Sequence, residues 1–329
     1  MNDLTDCWHA VALTSEIKRT PKRIMFSGQP VVLFRSRAAE IAALHDRCPH
    51  RHVELSAGQV IDGEIECPYH GWRFNASGDC TDIPGLKDEV PNYHIPCLKT
   101  FEKDGVLFLS KGEPKDPPYL HCMEGQKIIL RLVRSSSQST LIDAAENILD
   151  APHTHFVHKG LLRGLSSKRQ LVRVEVTGGP GWVEALYTGE ERQHGLVSRL
   201  LEGERVKTVG RFRYPGIAEL EFWGKNGLAL ATTFHLRQVG KFVEGIGCLI
   251  GPRNGVLDYL KSLAIRPMFW IAVGQDRRVL KSASDNAQHF PDAPPVIGPL
   301  DFLRRDIKAI MAGALPSAAE TPRTGYIEL

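Results

Sequence analysis

Short apolar runs separated by Gly, Pro, Asp and Asn dominate the first 110 residues: Val31 to Phe34, Ile41 to His45, Gly63 to Cys67, Trp72 to Phe74 and Gly105 to Leu109. Runs of this length between turn formers predict strands, and together they predict a small antiparallel β domain. From Lys111 to Pro118 the pattern lapses into Gly112, Pro114, Pro117 and Pro118 among charges, the composition of a linker. Beyond it, Ser139 to Lys159 repeats apolar residues at helical spacing, while Leu171 to Thr177, Gly181 to Thr188 and Ala229 to Gln238 read as strands. Gly178, Gly179, Pro180 and Gly181 predict a hairpin tip. Asn254 to Ser282 predicts a long helix disturbed at Pro267 and Gly274, and Leu300, Leu303, Ile307 and Ile310 mark a second amphipathic helix. The last dozen residues carry no such pattern and are expected to form a tail.

These periods give an expected organisation: a β domain over 1–113, a linker over 114–118, an α+β domain over 119–315 and a tail over 316–329. Two domains suit a chain of 329 residues. With 42% hydrophobic and 24% charged residues the composition is that of a globular protein, which excludes disordered and collagen-like classes. No apolar stretch reaches the roughly 18 to 20 residues a membrane span needs, and Met1 to Lys22 carries charges where a signal peptide would be apolar, so a cytoplasmic protein is expected. The formal charge of +3 comes from well-mixed Lys, Arg, Asp and Glu, which argues against nucleic acid. Seven cysteines without framework spacing predict a reducing compartment, with thiols available to bind metal.

Two segments then concentrate the chemistry. Cys48-Pro-His50-Arg and Cys67-Pro-Tyr-His70-Gly-Trp each offer one thiolate and one imidazole. Such a set can hold a tetrahedral zinc or a 2Fe-2S cluster in which one iron takes both Cys and the other both His. Structural zinc sites usually pair like with like, whereas a cluster with unlike irons requires each loop to reach both metals. These loops, with Leu55-Ser-Ala-Gly58 between them and Gly71-Trp72 after the last ligand, resemble a Rieske domain. The resemblance implies that Cys48 and Cys67 bind the buried iron and His50 and His70 the outer one. Val53 and Tyr69 stand where respiratory Rieske proteins carry a disulfide, so the resemblance implies the ferredoxin-like, lower-potential cluster of oxygenases. His52 departs from the family, which usually has Gly there, and reads as a solvated loop histidine.

About 210 residues remain, more than a simple electron carrier needs. They contain Glu146-Asn147-Ile-Leu-Asp150-Ala-Pro152-His153-Thr-His155-Phe-Val-His158. Two histidines and one carboxylate on one face of Fe(II) leave positions open for O2 chemistry. On an ideal helix His155 and His158 lie about 60° apart and His153 and His158 about 140° apart, so helix geometry alone favours the former pair. The spacing of Asn147, Asp150, His153 and His158, however, is similar to the catalytic motif of Rieske non-heme iron oxygenases, in which the outer two histidines bind iron; Pro152 sits where the helix would have to break. The third ligand is a downstream carboxylate, with Glu244, Asp258, Asp276, Asp285 and Asp292 as candidates, and Asp276 resembles the family's final ligand segment. The resemblance further implies that Asp150 links a cluster histidine of one subunit to an iron-binding histidine of the next, and that Asn147 lies near the iron.

The family implies an α+β architecture, with the Rieske domain followed by a helix-grip (START-like) domain of central antiparallel sheet and long C-terminal helix. It also implies a 2Fe-2S cluster, Fe(II) and O2, with NAD(P)H-derived electrons arriving through a ferredoxin, a reductase or both. The chain is similar in size to the short homotrimeric members of the family. Those act in aromatic compound catabolism by monooxygenation, either hydroxylation or oxidative O- or N-demethylation. Aromatic cis-dihydroxylation and a non-catalytic electron carrier are the alternatives. Phe222, Asn226 and His235 are candidate pocket residues, and Arg47, Arg51, Arg73 and Lys87 are candidates for steering an acidic redox partner.

Overall fold

The computed structural model describes residues 6–162, 169–190 and 205–329, and divides the chain into two compact units, 2–119 and 120–329. The first unit holds three small antiparallel sheets. Strands β1 (His9–Leu13), β10 (Val106–Ser110) and β9 (Lys99–Lys103) form one, and β2 (Lys22–Phe26), β3 (Gln29–Arg35) and β4 (Ile41–His45) a second. The third comprises β5 (Gln59–Ile61), β6 (Glu64–Glu66), β7 (Arg73–Phe74) and β8 (Cys80–Asp82). Two apolar clusters fill the unit, and the one around Val32, Phe34, Leu55, Ile65, Phe74 and Ile95 also encloses Cys48 and Cys67.

The second unit is an eight-stranded antiparallel sheet in the order β11-β17-β16-β15-β14-β13-β12-β18. Its strands are β11 (Ile128–Gln138), β12 (Leu171–Gly179), β13 (Trp182–Thr188), β14 (Arg205–Arg213), β15 (Ile217–Gly224), β16 (Gly227–Val239), β17 (Phe242–Pro252) and β18 (Arg323–Glu328). One face is covered by helices α1 (Leu141–Leu149), α3 (Val256–Ala287) and α4 (Arg304–Met311); α2 (Thr154–Val157) and α5 (Ser317–Glu320) are single turns. Period-2 alternation puts Val172, Val174 and Val176 of β12 and Val183, Ala185 and Tyr187 of β13 into the core under the helices. This is the α+β fold expected, a central antiparallel sheet gripped by a long helix.

Three expectations are corrected. Residues 316–329 are no tail: β18 pairs with β12 from Val176↔Arg323 to Leu171↔Glu328, and Ile327 and Leu329 are buried. Pro322 reads as a breaker, yet a proline just ahead of an edge strand removes no ladder hydrogen bond. The long helix is continuous through Pro267 and Gly274. Pro267 and Leu263 are both exposed, so the carbonyl one turn back, deprived of its N–H partner, can be solvated. Of the second amphipathic set, Leu303, Ile307 and Ile310 are buried, but Leu300 is exposed and precedes the helix.

Candidate functional site

The Cys48 and Cys67 loops are built alike. Cys48 N–H donates to Val53 O and His52 N–H to Cys48 O; Cys67 N–H donates to Trp72 O and Gly71 N–H to Cys67 O. Gly58 allows the loops to close, because a Cβ there would lie 1.9 Å from Glu66 O. Asp46 anchors the first loop by accepting from Ser56 N at 2.7 Å and Ser56 Oγ at 2.6 Å. Both thiols are buried and both imidazoles, His50 and His70, are exposed, their ring centroids 4.7 Å apart. Trp72 stacks on His50 with centroids 4.8 Å apart.

Burial pushes the Cys48 thiol up to about 11, opposed by the amides of His50 and reinforced by the neighbouring Cys67. The Cys48 and Cys67 thiols thus share an apolar pocket in which backbone amides face Cys48, the setting in which a metal replaces thiol protons. The donor set fits a cluster bound by sulfur inside and nitrogen outside. None of the seven cysteines is in a disulfide, no bridge joins the loops at Val53 and Tyr69, and Tyr69 is exposed.

In the second unit Thr140 caps α1 by accepting from Asp143 N at 3.2 Å, and the helix ends at Asp150, whose backbone is extended (φ −77°, ψ 112°). An extended residue ahead of Ala151-Pro152 interrupts the helix, and His153 then caps the single turn that His158 closes. The two histidines therefore sit at the ends of one irregular turn rather than on an ideal helix. Their Nε2 atoms lie 3.2 Å apart. Asp276 on α3 brings Oδ1 to 3.1 Å from His158 Nε2 and 3.6 Å from His153 Nε2. Outer atoms orient both rings: His153 Nδ1 donates to Asp150 O at 2.6 Å, with Asp150 Oδ2 at 3.6 Å, and His158 Nδ1 donates to Gln275 Oε1 at 2.8 Å.

With Nδ1 protonated, two Nε2 lone pairs face each other and a carboxylate oxygen that has no hydrogen-bond partner. Three convergent acceptors without a donor among them fit a cation. Burial works against a charged His153, but Asp150 and Asp276 outweigh it and raise its pKa to about 9, so the same convergence draws a proton when no other cation holds these acceptors. His155, the partner favoured by ideal helix geometry, is outside this cluster. Of the other candidate carboxylates, Glu244 pairs with Arg134 and Arg237, Asp258 accepts from Asn254 N, and Asp285 is bound to Gln138 and Lys281.

The cluster opens on an apolar cavity of about 240 Å³, whose lining includes Asn147, Asp150, Phe222, Phe234 and Phe269. Of the three candidate pocket residues Phe222 lines this cavity; Asn226 and His235 do not. Along β16 the cavity takes Leu230, Thr232, Phe234 and Leu236, so His235 points to the other face, where Nε2 bonds Leu120 O at 2.8 Å. Asn226 sits in the β15–β16 turn and lines a different cavity. Reading the sequence did not single out Gln275, or the buried Glu190–Arg205 pair at 2.7 Å, with Arg205 over the Phe222 ring. Gln275 adjoins a candidate ligand; nothing local marks the other two. Arg73 is held by Glu66 at 2.9 Å, leaving Arg47, Arg51 and Lys87 as the exposed cations near the cluster loops.

Residues 7–102 match the family model of the Rieske [2Fe-2S] domain. The chain is 31% identical over 285 residues to "Protein TIC 55, chloroplastic" of Arabidopsis thaliana, covering 82% of this chain and 50% of that protein. The chain carries a Rieske [2Fe-2S] domain. To the oxygenase component of dicamba O-demethylase from Stenotrophomonas maltophilia it is 27% identical over 197 residues, 56% of each chain. The chain spans about half the length of these curated relatives. The crystal structure of dicamba monooxygenase bound to dicamba shares the fold of this chain, with a TM-score of 0.77 over 94% of this chain and 96% of that one at 18% identity. No helix among the described residues is long and apolar enough to cross a membrane.

Proposed function

We propose that this chain is the terminal oxygenase component of a multicomponent Rieske oxygenase, inserting one atom of O2 into a small aromatic substrate by hydroxylation or by O- or N-demethylation. The observation that carries the reading is the convergence of His153 Nε2, His158 Nε2 and Asp276 Oδ1 at the wall of an apolar cavity, in a chain that also carries a Rieske domain. In this reading Cys48, Cys67, His50 and His70 hold the 2Fe-2S cluster, and His153, His158 and Asp276 hold a mononuclear Fe(II). When bound, the two groups supply one-electron transfer and the reduction of O2.

The chain's residues do the positioning. Asp150 O and Gln275 Oε1 hold the Nδ1 protons, fixing both imidazoles with Nε2 toward the iron position. Leu220, Leu230, Phe234 and Phe269 present an apolar wall that excludes water and packs an aromatic ring. Asp150 keeps a third of its side chain exposed, which suits the bridge to a cluster histidine of a neighbouring subunit. Val256, Leu257, Leu260 and Leu263 leave an exposed apolar stripe on α3, consistent with assembly into a homotrimer. Arg47 and Arg51 offer charge to an acidic ferredoxin or to an NAD(P)H-dependent reductase, in a cytoplasmic setting.

The test is metal content followed by turnover with a surrogate reductase and oxygen-18. Three irons per chain and one labelled atom in the product are expected. Two irons would reduce the chain to an electron carrier, and two labelled atoms would make it a dihydroxylase.

A further inference from the structure

Buried arginines of the 120–329 unit are matched by carboxylates: Arg205 by Glu190, Arg211 by Glu184, Glu219 and Glu221, Arg237 by Glu244, and Arg304 by Glu146 and Asp143. Among the described residues, two half-buried arginines are not. Arg277 lies over the Trp270 ring, 5.8 Å from its centroid. Arg131, on β11, has no aromatic face and, among the described residues, no carboxylate within ion-pair distance. Its Nη2 donates to Ser262 Oγ at 3.2 Å, the Ser262 hydroxyl donates to Tyr259 O at 2.7 Å, and its Nε is buried without a partner. The guanidinium is therefore held in place by α3, yet uncompensated.

Arg131 lines a cavity of about 440 Å³ together with Lys225, Lys261 and Asp258. Three cations against one carboxylate make the wall net cationic, and Asp258 accepts from Asn254 N–H at 2.8 Å. Leu230, Leu249 and Ile265 line both this outer cavity and the inner chamber at His153, His158 and Asp276, so the two adjoin across these three side chains. Along α3, Ser262 and Asp276 are separated by roughly 21 Å of helical rise.

We propose that the outer cavity is an anion subsite and that the molecule bound across both cavities is an elongated amphipathic acid, with a carboxylate or sulfonate at Arg131 and an apolar body reaching the inner chamber. A guanidinium kept partly from water without a counter-ion is costly until an anion arrives, and its planar fork matches a carboxylate or sulfonate. A short neutral aromatic would leave that cost standing. The position of the apolar body rests on the oxygenase reading above; the anion subsite does not.

The full chain is titrated calorimetrically, without reductase, with ω-phenylalkanoates of increasing length and with their methyl esters. Acids are expected to bind about tenfold more tightly than esters, and long acids more tightly than phenylacetate. Arg131→Gln is expected to lose that tenfold for the acids alone, and Arg131→Lys, which keeps the charge but not the fork, to lose part of it. Equal binding of acids and esters by the native chain, or acid binding by Arg131→Gln as tight as native with esters unchanged, would overturn the proposal. An iron count of two would sink the oxygenase reading and leave these titrations intact, so the two failures are distinguishable.

Discussion

His52 and Gly71 occupy equivalent places in the two cluster loops: each donates its N–H to the carbonyl of the loop's cysteine, and each has positive φ, 60° and 74°. Only one is a glycine. At Gly71 a Cβ would also meet Pro84 Cγ at 2.9 Å. A left-handed backbone costs an L-residue about 1–2 kcal/mol, while glycine returns about 0.5–1 kcal/mol of that through its freer unfolded chain. His52→Gly is therefore expected to stabilise the unit slightly, by roughly 0.5 kcal/mol. Gly71→Ala should destabilise it by about 2 kcal/mol and speed loss of the cluster's visible absorbance. Denaturation of both variants followed at that absorbance checks the asymmetry; equal effects would mean the loops are not equivalent.

Gln275 Oε1 accepts from His158 Nδ1 at 2.8 Å, and removing such an outer acceptor typically costs a metal site 10- to 100-fold in affinity. Gln275→Leu is expected to weaken iron binding by about that much while the cluster's absorbance is retained. Competition against a chelator measures it. Unchanged affinity would show that α1, α2 and α3 fix the imidazole without the amide.

How far such roles are legible before folding differs by residue. The four residues proposed to hold the cluster lie within two short loops, so chain order alone brings them together, and His153 with His158 is nearly as local. Asp276 could be chosen from five carboxylates only through resemblance, because its partners lie over a hundred residues away. Phe222 and His235 show the other limit. Both lie on cavity-forming strands, but inward parity depends on register, and a one-residue difference puts His235 on the opposite face. The C-terminal strand failed for a related reason: an edge strand buries only alternate residues, and Ile327 and Leu329 alone carry its signal.

That parity makes a prediction. His235 is buried against Leu120 O outside the cavity, and burial lowers its pKa, so His235→Ala should cost about 2 kcal/mol of stability with KM unchanged. Phe222→Ala removes a cavity wall and should raise KM with a smaller loss of stability. Thermal melts and steady-state kinetics on both variants separate the faces, and a KM effect from His235→Ala would contradict the assigned register.

Asp306 ties the C-terminal strand to α4. Its buried carboxylate accepts from Arg323, from Ser317 Oγ at 2.9 Å and from Ala318 N at 3.1 Å. Burial alone would raise its pKa, but Arg323 and the other donors prevail and hold it below the usual carboxylate range. A depressed folded pKa stabilises the native state above the ordinary value, about 4, and that contribution is lost as pH falls through the folded value. Asp306→Asn is therefore expected to cost roughly 2 kcal/mol at neutral pH, with the gap from the native chain closing below about pH 4. Urea melts across that range test the sign; a gap that widened on acidification would rule out the ionised carboxylate as the anchor.

Asp150 carries the most demanding prediction, because its side chain lies 3.6 Å from His153 Nδ1 while its backbone carbonyl already holds that nitrogen at 2.6 Å. Replacing the carboxylate by an amide leaves the backbone bond, the ring orientation and the three ligand atoms in place. Asp150→Asn should accordingly keep both metal sites loaded and bind substrate normally. If the carboxylate also serves the neighbouring subunit's cluster histidine, the variant should still accept electrons into the cluster yet turn over less than a hundredth as fast. Stopped-flow reduction of the cluster, followed by its reoxidation in the presence of substrate and O2, separates the two steps. Normal reoxidation would confine Asp150 to holding His153, and the route between the redox centres would have to be sought elsewhere.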